Sequence, residues 1–195
     1  VSGHLTERAQ LDEEARLLTV LASLGGRRSK LDIGATMVGR GAKSELVGVA
    51  LGEKRQHFDH HTVHRHEAPE CWSNIDLKVA LTGKAHSAYT GLIRIEEGAT
   101  DSQAFQEERN LLLSRRARAD AIPELEILNN EVQCSHGATT SPIDDEQIFY
   151  LQSRGVPPND ARKLIVRGFF DPTLRHMPDE LRDLVEQRLE ERLRT

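Results

Sequence analysis

The sequence predicts a mainly β chain: a run of short strands, read as a β-solenoid in preference to a sandwich or barrel, followed by a small α-helical unit. Three observations predict it. Short stretches alternate apolar with polar residues between closely spaced turns as far as residue 141, the mark of strands with one buried face. Aromatic residues make up only 4% of the chain, so its core must be built from narrow aliphatic rows, which a β-helix buries without large side chains. Beyond Pro142 the apolar spacing changes to that of helices. Sandwiches and barrels lean on tight hairpins, and the chain contains neither Asn-Gly nor Asp-Gly.

Taken in order, the elements differ in clarity. Thr6 to Leu24 reads two ways: Asp12-Glu13-Glu14 suits a helix start, whereas Leu17 to Leu21 suits a strand. Leu46 to Leu51 is a strand. Ile75 to Leu81 is a cleaner one, with Ile75, Leu77, Val79 and Leu81 on one face and Asp76 and Lys78 on the other. Leu92 to Glu96 and Leu125 to Leu128 follow. Asp101 to Arg118 is charged around Leu111-Leu112-Leu113 and reads as a helix or as a loop with one apolar anchor. Gly39-Arg40-Gly41, Gly52-Glu53, Thr82-Gly83, Glu97-Gly98 and Asn129-Asn130 supply the turns.

The C-terminal part begins with an N-cap type residue in Asp144-Asp145-Glu146-Gln147, and Gly155 stands where a first helix ends. Asn159 or Asp160 caps a second helix that stops near Gly168. Pro178 opens a third, whose single apolar seam is Leu181, Leu184, Val185, Leu189 and Leu193. The expected division is a β domain over 1–141 and a helical domain over 142–195.

Composition narrows the function. The net charge of −5 argues against generic nucleic-acid binding, which needs a basic surface to displace counterions. No apolar run reaches the ~20 residues that cross a bilayer, and Val1 to Gln10 has no signal-peptide pattern. Two cysteines make no disulfide framework, so a cytoplasmic, reducing setting is expected. A first residue other than Met suggests a fragment of a longer chain.

Two clusters carry ligand chemistry. The segment His57 to His66 holds five of the nine histidines. On a strand, His57, Asp59 and His61 share one face and His60, Thr62, His64 and His66 the other. Imidazoles such as His61 and His64, with Cys71, offer donors for zinc or iron, but no established ligand spacing is present. The plainer reading is a polar strand exposing imidazoles. The second cluster is Cys134-Ser135-His136-Gly137. A thiol and an imidazole two residues apart on an extended segment point to one side and suit iron–sulfur chemistry. They supply only half a ligand set, so a second chain or other segments must complete it. The plainer reading is a buried structural cysteine beside a turn histidine. Arg115-Arg116-Ala117-Arg118 is a small basic patch, read as a solvated face. Phosphate-cradling loops and the nucleophile elbow are absent from the sequence.

Three stretches together resemble the SufB/SufD family of iron–sulfur cluster assembly proteins, most closely its SufD branch. They are Tyr89-Thr90-Gly91-Leu92-Ile93 leading to Arg109-Asn110-Leu111-Leu112-Leu113-Ser114, then Cys134-Ser135-His136-Gly137-Ala138-Thr139, and finally Asp145 to Leu151 with Ser153-Arg154-Gly155. The resemblance covers nearly the whole chain and the C-terminal portion of a family member. It implies a right-handed parallel β-helix followed by a small helical domain, with the family's N-terminal helical region missing. It also implies a non-enzymatic, cytoplasmic scaffold that pairs with a SufB-like paralogue through the β-helix and docks a SufC-like ABC ATPase through the C-terminal helices. His136, with Cys134, is the ligand pair it points to, for a cluster held transiently in the complex and absent from the isolated chain. The His57–His66 segment matches no ligand motif of the family. The lone chain is open to homodimerisation, and the alternatives are a purely structural subunit and a metal-dependent enzyme using the His57–His66 segment, with His61 and His64 as its metal ligands.

Overall fold

A computed structural model describes residues 2–193. Ten strands run β1 (Ser2–Leu11), β2 (Arg16–Ser23), β3 (Arg28–Met37), β4 (Lys43–Gly52), β5 (His57–His66), β6 (Trp72–Leu81), β7 (His86–Ile95), β8 (Gln103–Leu112), β9 (Arg118–Ile127) and β10 (Gln133–Pro142). They form two five-stranded sheets, β1-β3-β5-β7-β9 and β10-β8-β6-β4-β2. All pairings are parallel, and each strand adds to the one two places earlier. The chain therefore coils as a flattened solenoid of five turns, as the sequence predicts.

Period 2 places alternate residues inside the coil. Leu46, Ile75, Leu77, Val79, Leu81, Phe58 and Tyr89 form its central core. The corners stack as the strands do: His57 N donates to Arg27 O at 3.0 Å, His86 N to Gln56 O at 2.9 Å and Arg118 N to Ala85 O at 3.0 Å. Gly83, in the left-handed region at φ 68°, lets one corner lie against the Lys54 backbone of the turn below.

Both ambiguous segments are strands. Thr6 to Leu24 supplies most of β1 and β2, with a turn at Glu13-Glu14, and Asp101 to Arg118 contains all of β8. β8 is paired along its whole length with β6 and β10, and its inward residues after Ala104 are Gln106, Glu108 and Asn110. Polar side chains on the buried face conceal the alternation.

Three helices follow: α1 (Asp145–Ser153), α2 (Pro158–Leu174) and α3 (Asp179–Leu193). Asp144 caps α1, its Oδ1 accepting from Glu146 N at 2.8 Å, and Gly155 follows the helix at φ 86°. The second helix departs from expectation at both ends. It starts at Pro158 behind Pro157, without a side-chain cap, and passes through Gly168 to Leu174. Burial of Phe170 and Leu174 on the solenoid outweighs the local cost of a helical glycine, about 1 kcal/mol. Pro178 stands just before α3. The seam of α3 is narrower than expected: Val185 and Leu189 are buried, whereas Leu181 and Leu184 are exposed.

α2 and α3 lie on the outer face of the even-strand sheet. Val47, Val49, Leu51, Ala80 and Leu111 meet Val166, Phe170, Leu174, Met177, Val185 and Leu189 there. Each such buried aliphatic or aromatic contributes roughly 1.5–3 kcal/mol relative to exposure. Thr173 Oγ1 donates to Asp76 Oδ2 at 2.6 Å and Arg192 pairs with Glu53 at 2.8 Å, fixing the register of helices on strands. By contrast α1 buries only Ile148 and leaves Phe149 and Tyr150 exposed. No helix among the described residues is long and apolar enough to cross a membrane.

Candidate functional site

β10 closes the solenoid. It pairs with β8 on one side, and its other edge faces no strand among the described residues. Cys134 and His136 both lie on this strand and share the inward parity, in register with Ala104 and Gln106. They differ in depth. Cys134 is half-buried against the cluster of Ile93, Ile95, Ala99 and Ala104, with Leu125 and Val132 beside it. His136 is exposed and borders a shallow depression of about 300 Å³ that includes Asn74, Phe105 and Glu107. Burial pushes the Cys134 thiol up, only partly offset by a backbone hydrogen bond at Ala104. The thiol is therefore the resting form, and a metal binding there must displace its proton.

Under β10 lies a row of polar side chains that the sequence reading did not single out. Gln106, Glu108 and Asn110 point inward from β8 and are buried. Gln106 Nε2 donates to Gly91 O at 3.2 Å, and Asn110 Nδ2 donates to Glu108 Oε2 at 2.8 Å. Among the described residues, Gln106 Oε1, Glu108 Oε1 and Asn110 Oδ1 meet no donor. Desolvation raises the Glu108 carboxyl to about 7, with the Asn110 hydrogen bond opposing it. Gly91 makes this arrangement possible, because a Cβ there would collide with Tyr89 Oη and Gln106 Nε2. Tyr89 in turn shares a 2.8 Å hydrogen bond with Thr62. The available signal was the spacing itself: three polar residues at alternate positions beside the Leu111-Leu112 anchor.

The histidine-rich segment is β5, and it divides its imidazoles between two environments. His60, His64 and His66 are buried inside the coil. Their Nε2 atoms meet Ser23 Oγ at 3.0 Å, Ser44 Oγ at 3.2 Å and Ser73 Oγ at 2.8 Å. Desolvation lowers them to about 4, about 3 and about 4 respectively, so they are neutral core residues. This corrects the picture of a strand that simply exposes its imidazoles. His57 and His61 face outward, His61 pairing with Asp59 at 2.8 Å. His61 and His64 thus lie on opposite faces, and the fold does not bring them together. Among the described residues, no group of three or more His, Cys, Asp or Glu side chains is placed to hold a metal ion. Cys71 is buried elsewhere, its thiol directed at Gly39 O.

Chemically, the pair on β10 offers one sulfur and one imidazole from a single face, their Cα atoms roughly 6.6 Å apart along a strand. That is two of the four ligands a tetrahedral iron needs. Among the described residues, no further His, Cys, Asp or Glu side chain is placed to complete the set.

Comparison with known proteins is consistent with that chemistry. A family model, described as SUF system FeS cluster assembly, SufBD core domain, matches residues 3–169. An iron–sulfur cluster assembly SufBD family protein of Mycobacterium tuberculosis is 39% identical over 176 residues, which is 86% of this chain and 44% of that protein. A counterpart in Mycobacterium leprae is 37% identical over 86% of this chain and 45% of its own length. A second, longer M. tuberculosis protein of the same description is 31% identical over 95% of this chain and 22% of its own length. The chain thus spans under half the length of these curated relatives.

Proposed function

The chain belongs to the SufBD family of iron–sulfur cluster assembly proteins, and we propose that within it the chain serves as a SufD-like, non-enzymatic scaffold subunit. In this reading the last turn of the solenoid pairs with a SufB-like paralogue. Cys134 and His136 present one side of a nascent cluster to that interface. The cluster is cargo, completed by donors of the partner and absent from the lone chain. The observation that carries the reading is the placement of both donors on β10, a strand with an open hydrogen-bonding edge. An exposed parallel edge is a template for another chain.

Within the pair the roles divide by depth. Exposed His136 reaches a shared cluster without rearrangement. Half-buried Cys134 must lose its proton and move outward to ligate, which suits transient holding. An imidazole holds iron less firmly than a thiolate does, and this favours release of the cargo. The helices support the second half of the proposal. Phe149, Tyr150, Leu181 and Leu184 form exposed apolar positions on α1 and α3, fit for docking a SufC-like ATPase. Because α2 packs directly on β4 and β6 and α3 shares its apolar cluster, a pull on the helices is passed to the sheet that ends in β10.

The experiment is reconstitution with the paralogue and the ATPase, followed by iron and sulfide analysis. His136→Ala is expected to lower cluster yield several-fold while the three proteins still co-purify. Unchanged yield in both His136→Ala and Cys134→Ala would assign the chain a purely structural role.

A further inference from the structure

The solenoid is electrically two-sided. Corners that lead from even to odd strands stack along one edge, and each carries exposed cations: Arg27 and Arg28 at the start of β3, Lys54 and Arg55 before β5, Lys84 before β7, and Arg115, Arg116 and Arg118 around the start of β9. None of these eight joins an ion pair among the described residues. The corners on the opposite edge are acidic. Asp12, Glu13 and Glu14 begin that series, Glu67 and Glu70 continue it, and Glu97, Asp101 and Glu131 end it. Of those, Glu70 is paired with Arg40 and Glu67 with Arg65. A chain of net charge −5 thus concentrates uncompensated positive charge on one edge. In sequence these cations are about thirty residues apart, and only the stacking of turns unites them.

The edge also has relief. Arg27, Lys54, Arg55 and Arg192, with one carboxylate, Glu53, line a concave site of about 390 Å³ beside Gln56. Arg192 is held there by Glu53 at 2.8 Å and by Gln56 Oε1 at 2.9 Å. Turns repeat at roughly 4.8 Å, so the cationic row is about 15 Å long. That matches an extended peptide of about five residues, whose same-side side chains recur every 6.6–6.8 Å.

We propose that this basic edge is a docking site for a short acidic segment of a partner protein, with one carboxylate seated between Arg27 and Arg55. A protein segment fits better than a nucleic acid for two reasons. The corners contain no Phe, Tyr or Trp on which bases stack. The acidic opposite edge repels a polyanion longer than the row. The site is separate from β10, so its occupancy does not depend on cluster ligation.

Fluorescence anisotropy of a labelled pentaglutamate peptide with the purified chain tests this. Binding is expected at 25 mM salt, weakening steeply towards 300 mM. Arg55→Glu with Lys84→Glu should weaken it at least tenfold, and Arg27→Glu with Arg116→Glu should do the same as an independent pair. Glu13→Lys with Glu97→Lys on the acidic edge should leave binding no weaker. These substitutions fall at exposed positions and avoid Lys54, whose φ of 55° is left-handed. No binding at 25 mM salt, or binding insensitive to both basic-edge pairs, overturns the proposal. A duplex DNA of equal charge that binds more tightly through the same residues also overturns it, in favour of a nucleic-acid edge.

Discussion

Replacing His64 by leucine should change how the stability of the chain depends on pH, whatever it does to stability at neutrality. His60, His64 and His66 are lowered by burial from 6.5 to about 4, about 3 and about 4. At pH 5.5 an unfolded histidine is about nine-tenths protonated while these three are neutral when folded, so each draws stability down by ~1.2 kcal/mol per pH unit. The sign follows from the depressed values: the contribution is undiminished above pH 6.5 and is lost progressively as pH falls towards 4. Glu108 acts oppositely. Its folded value of about 7 lies above the ordinary 4.5, so its contribution is complete below pH 4.5 and is lost as pH rises through 7. Between pH 6 and 5 it offsets about one histidine, leaving a net slope of ~2.5 kcal/mol per pH unit. Half-buried carboxylates held low by their partners, such as Asp32 beside His4 and Glu96 beside Arg94, titrate beneath this window. Urea unfolding at quarter-unit steps between pH 5 and 6 reads the slope directly. His64→Leu should reduce it to about half, even though Ser44 then loses its partner and overall stability falls by ~1–3 kcal/mol. A slope that is flat in the natural chain, or unchanged by the substitution, would refute the burial of neutral imidazoles in the coil.

Other outcomes follow from the same geometry. Glu108→Gln should stabilise the chain at pH 8 by ~2–3 kcal/mol and change it little at pH 5, since the amide removes a buried charge and retains a hydrogen-bonding shape; urea midpoints at the two pH values check it. Gly91→Ala should cost ~1–3 kcal/mol, because Tyr89 and Gln106 must yield space inside a packed coil, and thermal unfolding reads the loss. Phe149→Asp should leave the unfolding midpoint within ~0.5 kcal/mol of the natural chain, as befits a side chain 71% exposed, yet weaken capture of the SufC-like ATPase in a pull-down.

Where one sheet face is aliphatic, the sequence is a good guide. Ile75, Leu77, Val79 and Leu81 alternate with Asp76, a charged neighbour, and β6 is found there. Local chemistry is equally legible in Asp144 and Gly155, whose capping roles depend only on near neighbours. Three features resisted. Inward polar rows on β8 and β10 erase the alternation that marks a strand. The end of α2 is decided by contact with Val47 and Val49, more than a hundred residues away, so Gly168 misleads. The buried histidines look like surface residues because the serines that receive them, Ser23, Ser44 and Ser73, belong to other strands.

The candidate ligands show the same division. Cys134 and His136 were visible as a pair with one orientation, because strand geometry alone sets it. Their unequal depth was not, since it depends on Ile93, Ile95 and Leu125 packing under Cys134 but not under His136. The free edge of β10 was likewise invisible until the order of strands was known.

The central claim is that this chain contributes a histidine ligand to a cluster shared with its partner. Pulsed electron paramagnetic resonance on the reduced, cluster-loaded complex tests it directly, with this chain alone labelled with 15N-histidine. A strong 15N hyperfine coupling that disappears in His136→Ala is the predicted result. A loaded cluster with no coupling to any histidine of this chain would contradict the account.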